Sequence, residues 1–154
     1  PTVIRYPRGV GEGVEWQGVS FERLDVGRGE RLRDGKDIAI VAVGTMANVA
    51  LRAAEHSKHS VAVYDLRYAK PLDEVLLGEV GERFERVITI EDGIIRGGVG
   101  EAVVAHLSRA GYTPKVKTLG IDDRFVEHGK PAELYAECCY DEVALLKVMD
   151  ELMD

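Results

Sequence analysis

A chain of 154 residues fits one domain, and 45% hydrophobic with 31% charged residues is the profile of a soluble globular protein with one sizeable core. The net charge of -7 argues against a nucleic-acid surface or an anionic-membrane surface. No apolar run approaches membrane-spanning length, and the N-terminus is no signal peptide.

The chain opens on Pro1-Thr2-Val3-Ile4 without Met. This reads as an entry in mid-strand, as in a processed protein or a fragment. Ile4-Arg5-Tyr6-Pro7-Arg8-Gly9 follows. Pro7 fixes its own φ and biases Tyr6 away from helix, so Arg5 and Arg8 sit on a stiff extended segment. A guanidinium so held can act as an anion clamp, because its planar fork matches phosphate or carboxylate. An exposed linker with ordinary surface arginines fits the same residues. Residues 1–20 hold little core material and read as an arm, with the boundary to the domain near residues 20–24. That gives an arm over 1–23 and a domain over 24–154.

Short strands are expected at Arg23–Val26 and Arg31–Arg33, then a turn at Asp34-Gly35. Residues 37–44 form a continuous apolar run, as in a strand covered on both faces. Thr45 offers an N-cap to a helix over 46–57, and residues 60–66 make a second strand. Pro71 is expected to open a helix with Leu72, Val75, Leu76 and Val80 on one face. Residues 86–91 make a third strand. A helix over 99–109 turns Val99, Ala102, Val103, His106, Leu107 and Ala110 inward, and Gly111 ends it. Residues 115–121 are a fourth strand nearer an edge. Pro131 starts a short helix, and Asp141 caps a last one with a broad apolar stripe. Strict alternation of strand and helix means βαβ units. The fold class is therefore α/β, a three-layer sandwich with a mostly parallel sheet flanked by helices.

Ligands of such sheets gather beyond the carboxyl ends of the strands. Those ends carry Gly44-Thr45, Asp65–Lys70, Glu91-Asp92-Gly93 and Asp122-Asp123-Arg124. A polar site or interface and a solvated rim of matched charges both fit. Gly97-Gly98-Val99-Gly100 precedes a helix, and its amides could cradle a phosphate. It lacks the third Gly of a dinucleotide fingerprint and the Lys-Ser/Thr of a P-loop, so close helix–helix or subunit packing is the preferred reading. His128, beside Glu127 in a loop, can titrate near neutrality; a capping or interface histidine is the simpler account. Cys138 and Cys139 are adjacent, which disfavours a disulfide between them, and both read as free thiols of a reducing compartment. The four histidines are scattered and suggest no metal site. These residues amount to an α/β domain with an anion-binding arm and no complete active site.

Six segments in order carry a resemblance: residues 4–9; the strand from Ile38 with Gly44-Thr45; Tyr64–Asp73; Thr89–Gly93; Gly97–Gly100; and Leu119–Gly129. Together they resemble the C-terminal domain of the 1-deoxy-D-xylulose-5-phosphate synthases, thiamine-diphosphate enzymes of the transketolase family. Asp122 stands where that family usually has Pro, and the tail at Cys138-Cys139-Tyr140 departs from its usual Gly-Leu-Asp. The resemblance implies an enzyme that condenses pyruvate with D-glyceraldehyde 3-phosphate to 1-deoxy-D-xylulose 5-phosphate and carbon dioxide. The product feeds isoprenoid, thiamine and pyridoxal synthesis. The thiamine diphosphate and its Mg2+ are implied to sit in upstream domains, with none bound by this chain and no catalytic residue supplied by it.

The same resemblance implies that Arg8 grips the acceptor phosphate, and that Arg5 and Tyr6 fix the arm. Gly97, Gly98, Gly100 and the final helices would serve subunit packing in a cytoplasmic homodimer, with His128 supporting or at the interface. The chain alone would be inactive. Transketolase itself, the β subunits of 2-oxo-acid dehydrogenases and a non-catalytic dimerisation module remain as alternatives.

Overall fold

The computed structural model describes residues 1–4, 11, 13 and 17–154. The clamp reading of Arg5, Tyr6 and Arg8 lies outside the described residues. Along the described chain run β1 (Glu30–Arg33), β2 (Ile38–Ala42), α1 (Met46–His56), β3 (Val61–Asp65) and α2 (Glu74–Arg83). They are followed by β4 (Arg86–Ile94), α3 (Val99–Arg109), β5 (Lys115–Ile121), α4 (Pro131–Glu137) and α5 (Glu142–Met153).

The sheet order is β1-β3-β2-β4-β5. Strands β3, β2, β4 and β5 are parallel, and β1 closes one edge antiparallel to β3. Every residue of β2 is buried, as its unbroken apolar run demands. Side chains alternate across a strand, and β2 divides accordingly. Ile38, Ile40 and Ala42 join α1 and α5 in one core cluster, while Ala39 and Val41 join α2 and α3 in the other. The expected three-layer α/β sandwich is what forms. Strand β5 keeps an edge, as expected, and its exposed Lys115 and Lys117 guard that edge against pairing with another chain.

Several expectations need correction. No strand forms at Arg23–Val26, so among the described residues β1 alone precedes β2. Pro71 does not open α2. Asp73 does, accepting at Oδ1 from the amides of Val75 (3.1 Å) and Leu76 (3.0 Å). Its Oδ2 also accepts from the amide of Gly29 at 2.9 Å, so one carboxylate joins the loop before β1 to the start of α2. The helix phase this sets buries Leu76, Leu77 and Val80 and leaves Val75 70% exposed. Thr45 stands at the N-cap position of α1, but its backbone is already helical and its side chain makes no capping bond.

In α3, Val103 and Leu107 are buried, whereas Ala110 is exposed. Gly111 does follow the C-cap, at φ +87°. The stripe of α5 narrows to Leu145, Met149 and Leu152, with Asp141 capping through the amide of Ala144.

Burial pushes the Asp73 carboxyl up, but the amides of Leu76, Gly29 and Val75 and the Arg28 charge outweigh it and leave the group below its ordinary value. A carboxyl held low in the folded state adds stability that is present above its unfolded value and lost as pH falls through its native one. Asp73→Ala removes a cap and orphans the Gly29 amide. It is expected to lower the urea-unfolding free energy by about 2–4 kcal/mol, with the difference from the parent chain shrinking in acid.

Candidate functional site

The carboxyl ends of the four parallel strands line up along one edge of the sheet, and the charged segments singled out from the sequence sit there. The best-defined feature is the carboxylate of Glu91, in β4. It is 8% exposed and accepts from the Val99 amide at Oε2 (3.0 Å) and the Gly100 amide at Oε1 (2.8 Å). These are free amides of the first turn of α3, where the helix dipole favours negative charge. The Gly97 amide donates to Glu101 Oε2 at 2.8 Å. The Gly97–Gly100 loop thus spends three amides on the chain's own carboxylates, and a phosphate would have to displace them.

The glycines have a steric reason. A Cβ on Gly98 would stand 2.3 Å from the Ile94 carbonyl oxygen and 2.5 Å from Glu91 Oε1. On Gly100 it would stand 2.5 Å from Thr89 Oγ1. Within this chain the loop packs against its own strand β4. The Thr89 hydroxyl is buried there without a hydrogen-bond partner among the described residues.

Next along the rim, Asp92 accepts from Tyr140 OH at Oδ1 (3.0 Å) and Tyr135 OH at Oδ2 (3.4 Å). The two rings lie 4.9 Å apart with a 43° tilt. Burial, and then the Asp92 charge, push both phenols upward, so they stay protonated as donors. This clasp fastens α4 and the turn after it to β4.

The segment after β5 is held by Arg96–Asp123 (2.8 Å) and by Arg124–Glu137 (2.9 Å). Phe125 and His128 in that segment are exposed. His128 has no hydrogen-bond or ion-pair partner among the described residues and is not brought to the other candidates. After β3, Arg67 donates its amide to Asp65 (2.9 Å) and its guanidinium to Glu30.

One cluster escaped sequence reasoning. Tyr64 OH donates to Glu79 Oε1 (3.0 Å), and Arg83 reaches Tyr64 OH (3.1 Å), Glu79 (2.7 Å) and Asp34 (2.6 Å). Arg31 adds a bond to Glu79 at 2.7 Å. Desolvation, then Glu79, pushes the Tyr64 phenol up to about 12. No periodicity links these residues, although the i,i+4 pair Glu79–Arg83 was visible as such. The network braces β1 and β3 against α2.

Among the described residues, no group of three or more His, Cys, Asp and Glu is placed to hold a metal ion, and no helix is long and apolar enough to cross a membrane. The rim offers matched charges and capped loops. It is suited to support a site or meet another protein surface.

Residues 27–144 match the family model described as "Transketolase, C-terminal domain". The 1-deoxy-D-xylulose-5-phosphate synthase of Bacteroides thetaiotaomicron is 50% identical over 96% of this chain and 23% of its own length. That of Alkalilimnicola ehrlichii is 40% identical over 100% of this chain and 24% of its own. The chain therefore spans about a quarter of the curated relatives it matches. A split-gene transketolase, solved as an inactive β4 tetramer, superposes with a TM-score of 0.78 at 32% identity, over 86% of this chain and 44% of that one. A 2-oxoglutarate:ferredoxin oxidoreductase of Magnetococcus marinus, at TM-score 0.56 and 15% identity over 82% of this chain and 19% of its own, shares the fold.

Gly98→Ala tests the seating of α3 on β4. Its Cβ meets a backbone oxygen that cannot rotate away, so overpacking of about 1–3 kcal/mol is expected in denaturant unfolding. Gly44→Ala would be a poor control, since Gly44 has a positive φ of +66°. Gly78→Ala, on α2 with nothing within 4 Å of the new Cβ, is the fitting one; it is expected to leave stability equal or raised.

Proposed function

The chain belongs to the transketolase C-terminal domain family, and from that membership we propose that it works as the C-terminal domain of a 1-deoxy-D-xylulose-5-phosphate synthase. The observation that carries this reading is the identity to synthases over nearly the whole chain, 50% for the Bacteroides thetaiotaomicron enzyme against 32% for the transketolase. The full enzyme condenses pyruvate with D-glyceraldehyde 3-phosphate, releasing carbon dioxide. Its product serves isoprenoid and thiamine synthesis in the cytoplasm.

Among the described residues no group of three or more His, Cys, Asp and Glu stands ready for a metal ion. In this reading cofactor and metal belong to upstream domains of the same chain, and residues 1–23 are the arm that joins this domain to them. The present residues take no step in the cofactor's chemistry and have no turnover alone.

Their contribution is binding and assembly. Arg8 grips the phosphate of the aldehyde acceptor, and Arg5 and Tyr6 hold the arm. The phosphate does not react, so its binding energy serves to position the aldehyde. The surface around the Gly97 loop, the final helices and His128 meets a second subunit in a homodimer.

Arg8→Ala in the full-length enzyme is the test. Loss of a charge-assisted hydrogen bond costs about 1.5–3 kcal/mol, so the KM for glyceraldehyde 3-phosphate is expected to rise roughly tenfold to a hundredfold while that for pyruvate stays put. Equal effects on both substrates would remove the phosphate role from Arg8.

A further inference from the structure

The segment before β1 carries apolar side chains that the domain does not use. Four of the eight residues from Val19 to Val26 are large and apolar: Val19, Phe21, Leu24 and Val26. All four are at least half exposed, Phe21 to 84%, and none belongs to either core cluster. The segment lies in no helix and no strand. A free linker is ordinarily polar, and apolar groups grouped in water mark a surface that meets another.

The root of the segment is fixed. Arg28 N donates to the Asp25 carbonyl oxygen at 3.2 Å, and Gly27 turns the chain at φ +73°. A Cβ on Gly27 would stand 2.8 Å from Pro71 Cγ, and one on Gly29 would stand 2.7 Å from the Asp65 carbonyl oxygen. The Gly29 amide is held by Asp73 Oδ2 at 2.9 Å. The apolar stretch therefore springs from a set point beside the carboxyl end of β3.

We infer that residues 19–26 are a strap that docks its apolar side chains on the upstream domains of the same chain, with Phe21 as the anchor. The inference rests on the synthase reading given above. This chain spans about a quarter of its curated relatives and matches a C-terminal domain, so in that reading the rest of the protein precedes residue 1. Residues 1–18 tether it to the strap, which makes docking intramolecular and its effective concentration high. A large aromatic side chain is a common anchor of such contacts. Glu22, Arg23 and Asp25 stand between the apolar residues, so the receiving surface is an apolar groove with a polar margin.

The probe is trypsin, which cuts the Arg23–Leu24 bond inside the strap, with the products followed by mass. Cleavage is compared between the 154-residue chain and the same chain joined to the upstream three-quarters of a synthase. Proteolysis at a docked segment follows the population of its open form, so the joined protein is expected to be cut at Arg23 slower by about tenfold or more. Phe21→Ser, and Phe21→Ser with Val26→Ser, should return the joined protein to the rate of the same variant of the 154-residue chain. Comparing like variants cancels any effect on trypsin itself. Both side chains lie outside the core clusters, so the thermal unfolding of the 154-residue chain should not change. Equal cleavage of the joined and separate proteins, or protection untouched in the double variant, would overturn the inference. So would protection of the 154-residue chain that grows with its concentration, since the cover would then be a second copy. Product formation by the joined protein reports on the synthase reading separately: product together with an open Arg23 bond overturns the strap alone, and a protected bond without product supports the strap and counts against the synthase reading.

Discussion

The buried carboxylate of Glu91 is the contact on which the arrangement of this domain turns. It stands in the sheet and is bonded to the first free amides of α3. A buried charge is tolerable only when it is paired or fully hydrogen-bonded, and here the helix terminus supplies both amides and a favourable dipole. The contact requires the helix to come very near the strand, which is why Gly98 and Gly100 have no room for a side chain. Once α3 is seated, Val103 and Leu107 reach the core they share with α2, and the path of the chain from β4 to β5 follows. The Thr89 hydroxyl, without a hydrogen-bond partner among the described residues, lies inside the same close approach.

Two other polar devices repeat that logic. Asp73 joins the loop before β1 to α2, and Asp92 holds Tyr135 of α4 and Tyr140 of the turn after it. Each places a carboxylate where loops meet the sheet, and each uses backbone amides or phenols as donors. The exposed ion pairs beyond them add little singly, about 0–1 kcal/mol each. Stability comes mainly from the two apolar clusters on either face of β2. The rim is therefore a rigid, charged edge with capped loops. It carries no nucleophile paired with a base among the described residues.

Much of this fold was legible from the residues. The run from Ile38 to Ala42 announced a strand buried on both faces because nothing polar interrupts it, and Gly111 marked the end of α3 because its φ is positive. The start of α2 was misread because Pro71 and Asp73 are both start signals two residues apart. The choice was made by a tertiary bond from Gly29, which no local pattern contains. Val75 and Leu77 exchanged places for the same reason. Glu91 was legible only as a charge at a strand end; its partners lie in the next helix, and their glycines hinted at close approach without naming what approached. The Tyr64–Glu79–Arg83–Asp34 network joins β3, α2 and the turn after β1, and only its i,i+4 pair Glu79–Arg83 has a signature in sequence. The family was legible because six weak motifs occur in order, whereas the role of Arg8 rests on that resemblance and on a stiff Tyr-Pro-Arg segment outside the described residues.

The central claim is that this chain is a supporting domain whose chemistry lies elsewhere in a longer enzyme. It is tested most directly by measuring 1-deoxy-D-xylulose 5-phosphate formation from pyruvate and glyceraldehyde 3-phosphate, with thiamine diphosphate and Mg2+ present. The chain is assayed alone and joined to the upstream three-quarters of a synthase. The account predicts product only from the joined protein. Product from the 154-residue chain alone, or none from a joined protein that folds and binds the cofactor, would contradict it.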